Sequence, residues 1–138
     1  MRQAADIVRD QRPLALPRSA SVRDACRAMR ARHVGDVLVV DAAGTLAGIF
    51  TGRDAVCRVL AEGLDPAATT IADVMTRDPD AIAPGCDAVE LLRRMRDGGY
   101  RHLPVVDGGR VVGIVSRGNL RGLEHARLDE ETRLWERM

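Results

Sequence analysis

The chain has 138 residues, is 46% hydrophobic and 30% charged, and carries a formal net charge of +1. That balance suits one compact unit and gives no field to gather nucleic acid. Aromatic residues, at 2%, are too few to stack bases along a strand.

After Pro13, the run Leu14 to Leu16 reads as a short extended segment. Ser21-Val22-Arg23-Asp24 has the form of a capping box. Val22, Ala25, Cys26, Met29 and His33 follow at helical spacing on one apolar face. Val37 to Val40 is a β-branched strand, Asp41-Ala42-Ala43-Gly44 a turn, and Leu46 to Phe50 a second strand. Thr51 opens a helix through Ala55, Val56, Val59 and Leu60, which Gly63 stops. Residues 64–74 form a linker with Pro66 and a short helix near Thr70 to Val74. Asp87-Ala88-Val89-Glu90 caps the next helix, with Ala88, Leu91, Leu92 and Met95 on its inner face and Gly98-Gly99 at its end. Leu103 to Val106 and Val111 to Val115 are strands around the turn at Asp107-Gly108-Gly109. A C-terminal helical tail then carries Leu120, Leu123, Leu128, Leu134, Trp135 and Met138. It reads either as a helix that closes the module or as one that docks a partner.

The second half of this order repeats the first. Pro13 matches Pro79, Leu16 matches Ile82, Met29 matches Met95 and Val40 matches Val106, each pair 66 residues apart (95 − 29). From Gly48 and Gly113 onward the offset is 65 (113 − 48), so one residue is lost in the turn between Asp41 and Gly48. A constant offset of this kind is an internal repeat. The reading divides the chain into repeat 1 (7–63), a linker (64–74), repeat 2 (75–122) and the tail (123–138). Copies of this size bury too little surface alone and are expected to share one core.

Gly48-Ile49-Phe50-Thr51-Gly52-Arg53-Asp54 recurs as Gly113-Ile114-Val115-Ser116-Arg117-Gly118-Asn119. Each copy sends an apolar strand into a hydroxyl, with an acid or amide three residues on. One reading is helix capping: the hydroxyl accepts an orphan N–H and the acid favours the positive end of the helix dipole. The other is ligand binding, in which the hydroxyl donates to phosphate and the carboxylate accepts from two ribose hydroxyls. Gly52 and Gly118 keep bulk away from the turn, so the two roles are compatible and both are expected.

The pattern of apolar strand, Gly, two apolar residues, Ser/Thr, two variable residues and Asp resembles the cystathionine β-synthase (CBS) domain. Two such copies resemble a Bateman module. Val74-Met75-Thr76-Arg77-Asp78-Pro79 and Tyr100-Arg101-His102-Leu103-Pro104-Val105-Val106-Asp107 carry the same likeness, which covers roughly residues 7–123. It implies an α/β (α+β) fold of tandem pseudo-twofold β-α-β-β-α repeats with two clefts between them, and a homodimer. The ligands it implies contain adenosine: AMP, ATP, NAD or S-adenosylmethionine, with AMP or ATP foremost, bound as regulators rather than obligatory cofactors. In the first site Thr51 takes phosphate, Asp54 the ribose diol, and Ala15, Leu16, Asp36 and Val37 line the adenine slot. In the second, Ser116 takes phosphate, Ala81, Ile82, His102 and Leu103 line the slot, and Asn119 stands where an acid is expected. Arg53, Arg77, Arg101 and Arg117 are candidate phosphate ligands.

These features point to a sensor of adenine nucleotides that answers by changing shape or dimer geometry, with an effector protein as a further partner. The alternative is a dimerisation or scaffolding module with degenerate clefts, which Asn119 favours. Catalysis is the weakest reading. All 21 basic residues are Arg, so there is no phosphate-loop or Schiff-base lysine. His102 with Asp107 has neither a nucleophile nor a metal beside it. Cys26, Cys57 and Cys86 are odd in number and lack metal-ligand spacing, and are expected to be small buried side chains in a reducing compartment. No segment reaches membrane-span length and no signal core is present, so a cytoplasmic protein without membrane or nucleic-acid partners is expected.

Overall fold

The structure, a computed structural model, describes residues 2–120 and 122–136, with Leu123 described by its backbone alone. Met138 and the Leu123 side chain, both read as part of the tail's apolar set, lie outside the described residues. The architecture is mixed α/β. In chain order the elements are α1 (Ala4–Val8), β1 (Ala15–Pro17), α2 (Val22–Arg32), β2 (Asp36–Val40), β3 (Leu46–Thr51) and α3 (Gly52–Asp54). A π-helical segment, Ala55–Leu60, continues α3, followed by α4 (Ile71–Val74), β4 (Thr76–Arg77), α5 (Ala88–Gly98), β5 (His102–Asp107) and β6 (Arg110–Ser116). A 3₁₀ turn, Arg117–Asn119, leads into α6 (Gly122–Glu136).

The chain divides into two compact units, and the division cuts across sequence order. The first comprises Arg12–Pro79 with Gly108–Val111, and the second Met1–Gln11, Asp80–Asp107 and Val112–Met138. The segment preceding each repeat is therefore packed in the other repeat's unit.

In the first unit the sheet runs β1-β2-β3-β4, with β1 parallel to β2 and the other pairs antiparallel. Its core gathers Val22, Ala25 and Met29 of α2 with Val37, Val39, Phe50, Val59, Ile71 and Val74. α4 and β4 close the far edge, where Gly48 faces Arg77. A Cβ on Gly48 would lie 2.5 Å from Met75 Sδ and 2.7 Å from the Thr76 carbonyl. That close approach, more than backbone freedom, requires glycine there.

The second unit rebuilds the pattern around the β5-β6 hairpin. Where repeat 1 has strand β1, repeat 2 has a single parallel bridge, Ile82 to Val105. α1 takes the place that α4 holds in the first unit: Ala4 and Val8 are buried against Ala88, Leu91, Leu92, Met95, Leu103 and Val115. A Cβ on Gly113 would lie 2.5 Å from Val8 Cβ, and Gln11 Oε1 accepts from the Ile114 N–H at 3.0 Å. Arg2 donates to both carboxylate oxygens of Glu124, at 2.8 and 2.9 Å, tying the start of α1 to α6.

α2 and α5 begin alike. Ser21 Oγ accepts from the Asp24 N–H at 3.0 Å, and Asp87 Oδ1 from the Glu90 N–H at 2.9 Å, the capping that their sequences announce. Both end in a left-handed residue, at His33 and at Gly99. His33 is thus an exposed C-cap rather than a member of the helix's apolar face, because the chain reverses its twist there.

The helical faces of the two units are covered to different extents. Leu91, Leu92 and Met95 are fully buried, since α6 packs on α5 with Leu128 inside and ion pairs Arg93–Glu131 and Arg96–Asp129 along the seam. The tail is a closing helix in this unit. In the first unit Val59 is buried, but Val56 is 56% and Leu60 75% exposed.

The cysteines also depart from expectation. Cys26 and Cys86 are half-buried and Cys57 is exposed, because the helix after Asp54 turns its 57 position outward. Partial burial raises the Cys26 and Cys86 thiol pKa values, which disfavours the thiolate form. Among the described residues no helix is long and apolar enough to cross a membrane.

Candidate functional site

Both hydroxyl motifs stand at the end of a hairpin, held by the same backbone contacts. Asp36 pairs with Thr51 across β2 and β3, and the Gly52 N–H donates to the Gly35 carbonyl at 3.1 Å. In the second unit the Arg117 N–H donates to the Arg101 carbonyl, also at 3.1 Å. Residues 35 and 101 are 66 apart, and 52 and 117 are 65 apart, so the duplication persists to single hydrogen bonds.

Each motif closes a capping box. The Thr51 hydroxyl accepts from the Asp54 N–H at 3.3 Å, while Asp54 Oδ2 accepts from the Thr51 N–H at 2.9 Å and its hydroxyl at 3.1 Å. Asn119 Oδ1 accepts from the Ser116 N–H at 2.8 Å and the Ser116 hydroxyl at 3.0 Å. The amide of Asn119 therefore reproduces the cap but not the charge. Asp54 is 8% exposed, and its Oδ1 lies 3.6 Å from Arg58 Nε. Asn119 is exposed.

The adenine-slot candidates fall into two sets. In the first unit Ala15, Asp36 and Thr51 come to one end of the sheet: the starts of β1 and β2 and the end of β3. Ala15 is exposed, and Leu16 and Asp36 are half-buried. Val37 is wholly buried in the core with Phe50, so its side chain is not presented to a ligand.

In the second unit Ala81, Ile82 and Leu103 line one cavity of about 430 Å³. His102, half-buried, begins β5 beside Leu103. Sequence reasoning missed the rest of this cavity, which is lined also by Asp80, Arg94, Asp97, Gly98 and Tyr100. The Tyr100 hydroxyl donates to Asp80 Oδ2, and this bond raises the tyrosine's pKa. The ring lies over Gly98, where a Cβ would meet it at 2.1 Å. No spacing rule links positions 80 and 100. The available signal was that Tyr100 is the chain's one tyrosine and directly precedes the β5 motif.

The arginines separate by partner. Arg117 is anchored, its Nε donating to the Tyr100 carbonyl and an NH₂ to the Met95 carbonyl, both at 3.1 Å, at the end of α5. Its guanidinium serves that helix end and the charge there. Arg53, Arg77 and Arg101 are exposed. Among the described residues no group of His, Cys, Asp and Glu is arranged to hold a metal.

A duplicated α/β unit whose hairpins each end on a capped hydroxyl has the architecture of a paired regulatory, ligand-binding module. The CBS domain model matches residues 4–60 and again 71–125, and the chain belongs to the CBS domain family as a tandem pair. The CBS domain-containing protein CBSCBSPB3 of Arabidopsis thaliana is 42% identical over 108 residues, covering 78% of this chain and 19% of that protein. The chain thus spans about a fifth of the length of the first curated relatives it matches. A CBS-domain protein of Burkholderia ambifaria is 30% identical with a TM-score of 0.78, covering 85% of this chain and 89% of that one. A CBS domain protein of Pyrobaculum aerophilum, solved in complex with AMP, has a TM-score of 0.83 and covers 93% of this chain and 98% of that one. At 20% identity the last likeness is one of fold.

Proposed function

We propose that the protein is a non-catalytic sensor of adenosine-containing nucleotides, AMP or ATP foremost, that acts as a homodimer. The observation that carries this reading is the duplicated hydroxyl with its acid or amide, placed at the sheet end where Ala15 and Asp36 also begin their strands. In the first unit Thr51 meets phosphate and Asp54 the ribose diol, with Arg53 available as a phosphate partner. In the second, Ser116 and Arg101 meet phosphate, and the cavity walled by Ala81, Ile82 and Leu103 takes the base, with Tyr100 as an added wall. The AMP-bound relative of the same fold supports the ligand class. Binding shifts the population between conformations, by no more than the ligand's differential affinity for them.

A second reading has its own support. Asn119 lacks the charge of Asp54, and Arg117 is committed to the end of α5. A second site degraded in this way suits a dimerisation or scaffolding module.

A thermal-shift panel of AMP, ATP, NAD and S-adenosylmethionine separates the two. A ligand selective for the folded state at 100 times its dissociation constant adds about 2.7 kcal/mol of stability. At least one member should raise the melting temperature. A flat panel at millimolar ligand would overturn the sensor reading and leave the scaffold.

A further inference from the structure

We propose that Arg2 is a positioning residue for the second ligand site: it holds the turn that carries Ser116 and Asn119, and with Gln11 it makes segment 2–11 a structural part of that site. The inference rests on the sensor reading above and names what keeps the second site in shape.

The second hydroxyl motif has little local support. Ser116 and Asn119 close their capping box over a 3₁₀ turn of only three residues, Arg117–Asn119. A turn that short has poor hydrogen-bond geometry and little stability of its own. Within it the Leu120 N–H donates to the Arg117 carbonyl at 3.1 Å. The Asn119 carbonyl is held from far along the chain, where Arg2 Nη2 donates to it at 2.9 Å.

The guanidinium that reaches the turn is itself fixed. Its Nε and Nη2 donate to Glu124 Oε1 and Oε2 at 2.8 and 2.9 Å, and Glu124 is 8% exposed. A two-pronged arginine–carboxylate pair sets the plane of the guanidinium as well as its place. The backbone of Arg2 is anchored too, its carbonyl accepting from the Ala88 N–H at 2.9 Å. Arg2 thus joins the motif's turn to the start of α6 and to the start of α5.

Gln11 and Val8 grip the other end of the motif. Gln11 Oε1 accepts from the Ile114 N–H at 3.0 Å, and Val8 fills the space over Gly113. One segment therefore holds both the strand before Ser116 and the turn after it.

The first unit meets the same need with different residues. There β4 pairs with Gly48 and Ile49, the counterparts of Gly113 and Ile114. Arg58 Nη1 donates to the Val74 and Met75 carbonyls at 3.3 and 2.9 Å, and its Nε lies 3.6 Å from Asp54 Oδ1. In each unit an arginine links the motif's acid or amide residue to the segment packed beside it. The repeat does not supply the second one: the residue 65 positions after Arg58 is Leu123. Arg2 brings the cation from the opposite side of the same contact.

Calorimetry with AMP and with ATP tests this on the full chain, as wild type, Arg2→Gln, Arg2→Lys and Asp54→Asn. The last variant marks which binding event belongs to the first site. Arg2→Gln should weaken the other event about tenfold and leave the Asp54-dependent event unchanged. Arg2→Lys keeps the charge but not the fork, and should recover part of the loss. Without ligand, hydrogen exchange at the Ser116 and Leu120 amides should be faster in Arg2→Gln, with the Thr51 amide protected as before. A second event of wild-type strength in Arg2→Gln, or equal weakening of both events, overturns the role of Arg2 and leaves the sensor reading in place. A wild type that shows the Asp54-dependent event alone does the same. A wild type that binds neither nucleotide overturns both.

Discussion

The two units start from one duplicated pattern and finish their helical faces differently. In the second unit α6 runs 15 residues and seals Leu91, Leu92 and Met95 beneath Leu128. In the first, the helical segment after Thr51 ends at Leu60 and leaves Val56 and Leu60 in solvent. The hairpins, caps and hydroxyl motifs recur in both copies, so the length of one helix decides whether the apolar face is completed within the chain. A sealed face contributes to folding, and an open one does not.

The largest test of that contrast is a pair of truncations. Leu92→Ala removes a fully buried side chain from the sealed face and should cost about 2–5 kcal/mol of unfolding free energy. Leu60→Ala, on the open face, should change the stability of the monomer by less than about 0.5 kcal/mol. Urea denaturation at low protein concentration checks both. Comparable losses would mean that the first unit's apolar face is covered in solution within one chain.

Much of this difference was beyond the sequence. The repeat offset, the four-residue caps at Ser21 and Asp87, and the hydroxyl motifs are local signals, and each appears where the sequence placed it. The burial of Leu91, Leu92 and Met95 depends on where α6 packs, and its loosely spaced apolar residues did not announce a strong apolar face. α1 was unread because five residues give no periodicity, and its role, filling the place that α4 fills in the other unit, is a tertiary fact. Gly48 and Gly113 were legible as part of a motif, but the reason for glycine is the approach of Met75 and Val8 from distant positions. Tyr100 and Asp80 meet only because β5 begins beside residues 80–82.

The next effect concerns the ligand and compares Asp54 with Asn119. Both act as caps, so charge is the difference left between them. A hydrogen bond to a charged group contributes roughly 1.5–3 kcal/mol against about 0.5–1.5 for a neutral one. The Asp54 site should therefore bind a ligand with a free ribose diol about tenfold more tightly, which corresponds to about 1.4 kcal/mol. Calorimetry on Asp54→Asn, which keeps the cap oxygen, should lose the tighter event, and Asn119→Asp should strengthen the weaker one. Wild-type binding by Asp54→Asn would make Asp54 a helix cap and nothing more.

Acid should separate the units in a third way. The hydrogen bond from Arg96 holds the Asp129 carboxyl below its ordinary pKa. A depressed carboxylate contributes stability above its unfolded pKa and loses it as pH falls through the folded value. The α5–α6 seam, with Arg93–Glu131 beside it, should loosen at the acid end of the carboxylate range, whereas α2 has no matching pair among the described residues. Hydrogen exchange should show α6 amides losing protection on acidification before those of α2. Equal loss in both helices would assign the acid response to the fold as a whole.

The smallest effect lies at matched helix ends. α2 ends on His33 at φ 53° and α5 on Gly99 at φ 70°. The reversal is the same in both: the Val34 N–H reaches the Met29 carbonyl at 3.1 Å, and the Tyr100 N–H the Met95 carbonyl at 2.9 Å. A left-handed conformation costs a residue with a Cβ roughly 1–2 kcal/mol, whereas glycine gives back about 0.5–1 kcal/mol in chain entropy on folding. His33→Gly should then stabilise the protein by about 0.5–1 kcal/mol, and Gly99→Ala should destabilise it by a similar amount. The shift appears as a higher urea midpoint at constant slope, since neither change alters the surface exposed on unfolding. His33 is exposed, so no packing offsets the gain. A fall in stability for His33→Gly would show that the imidazole contributes at the end of α2, and the two caps would differ in chemistry as well as in residue.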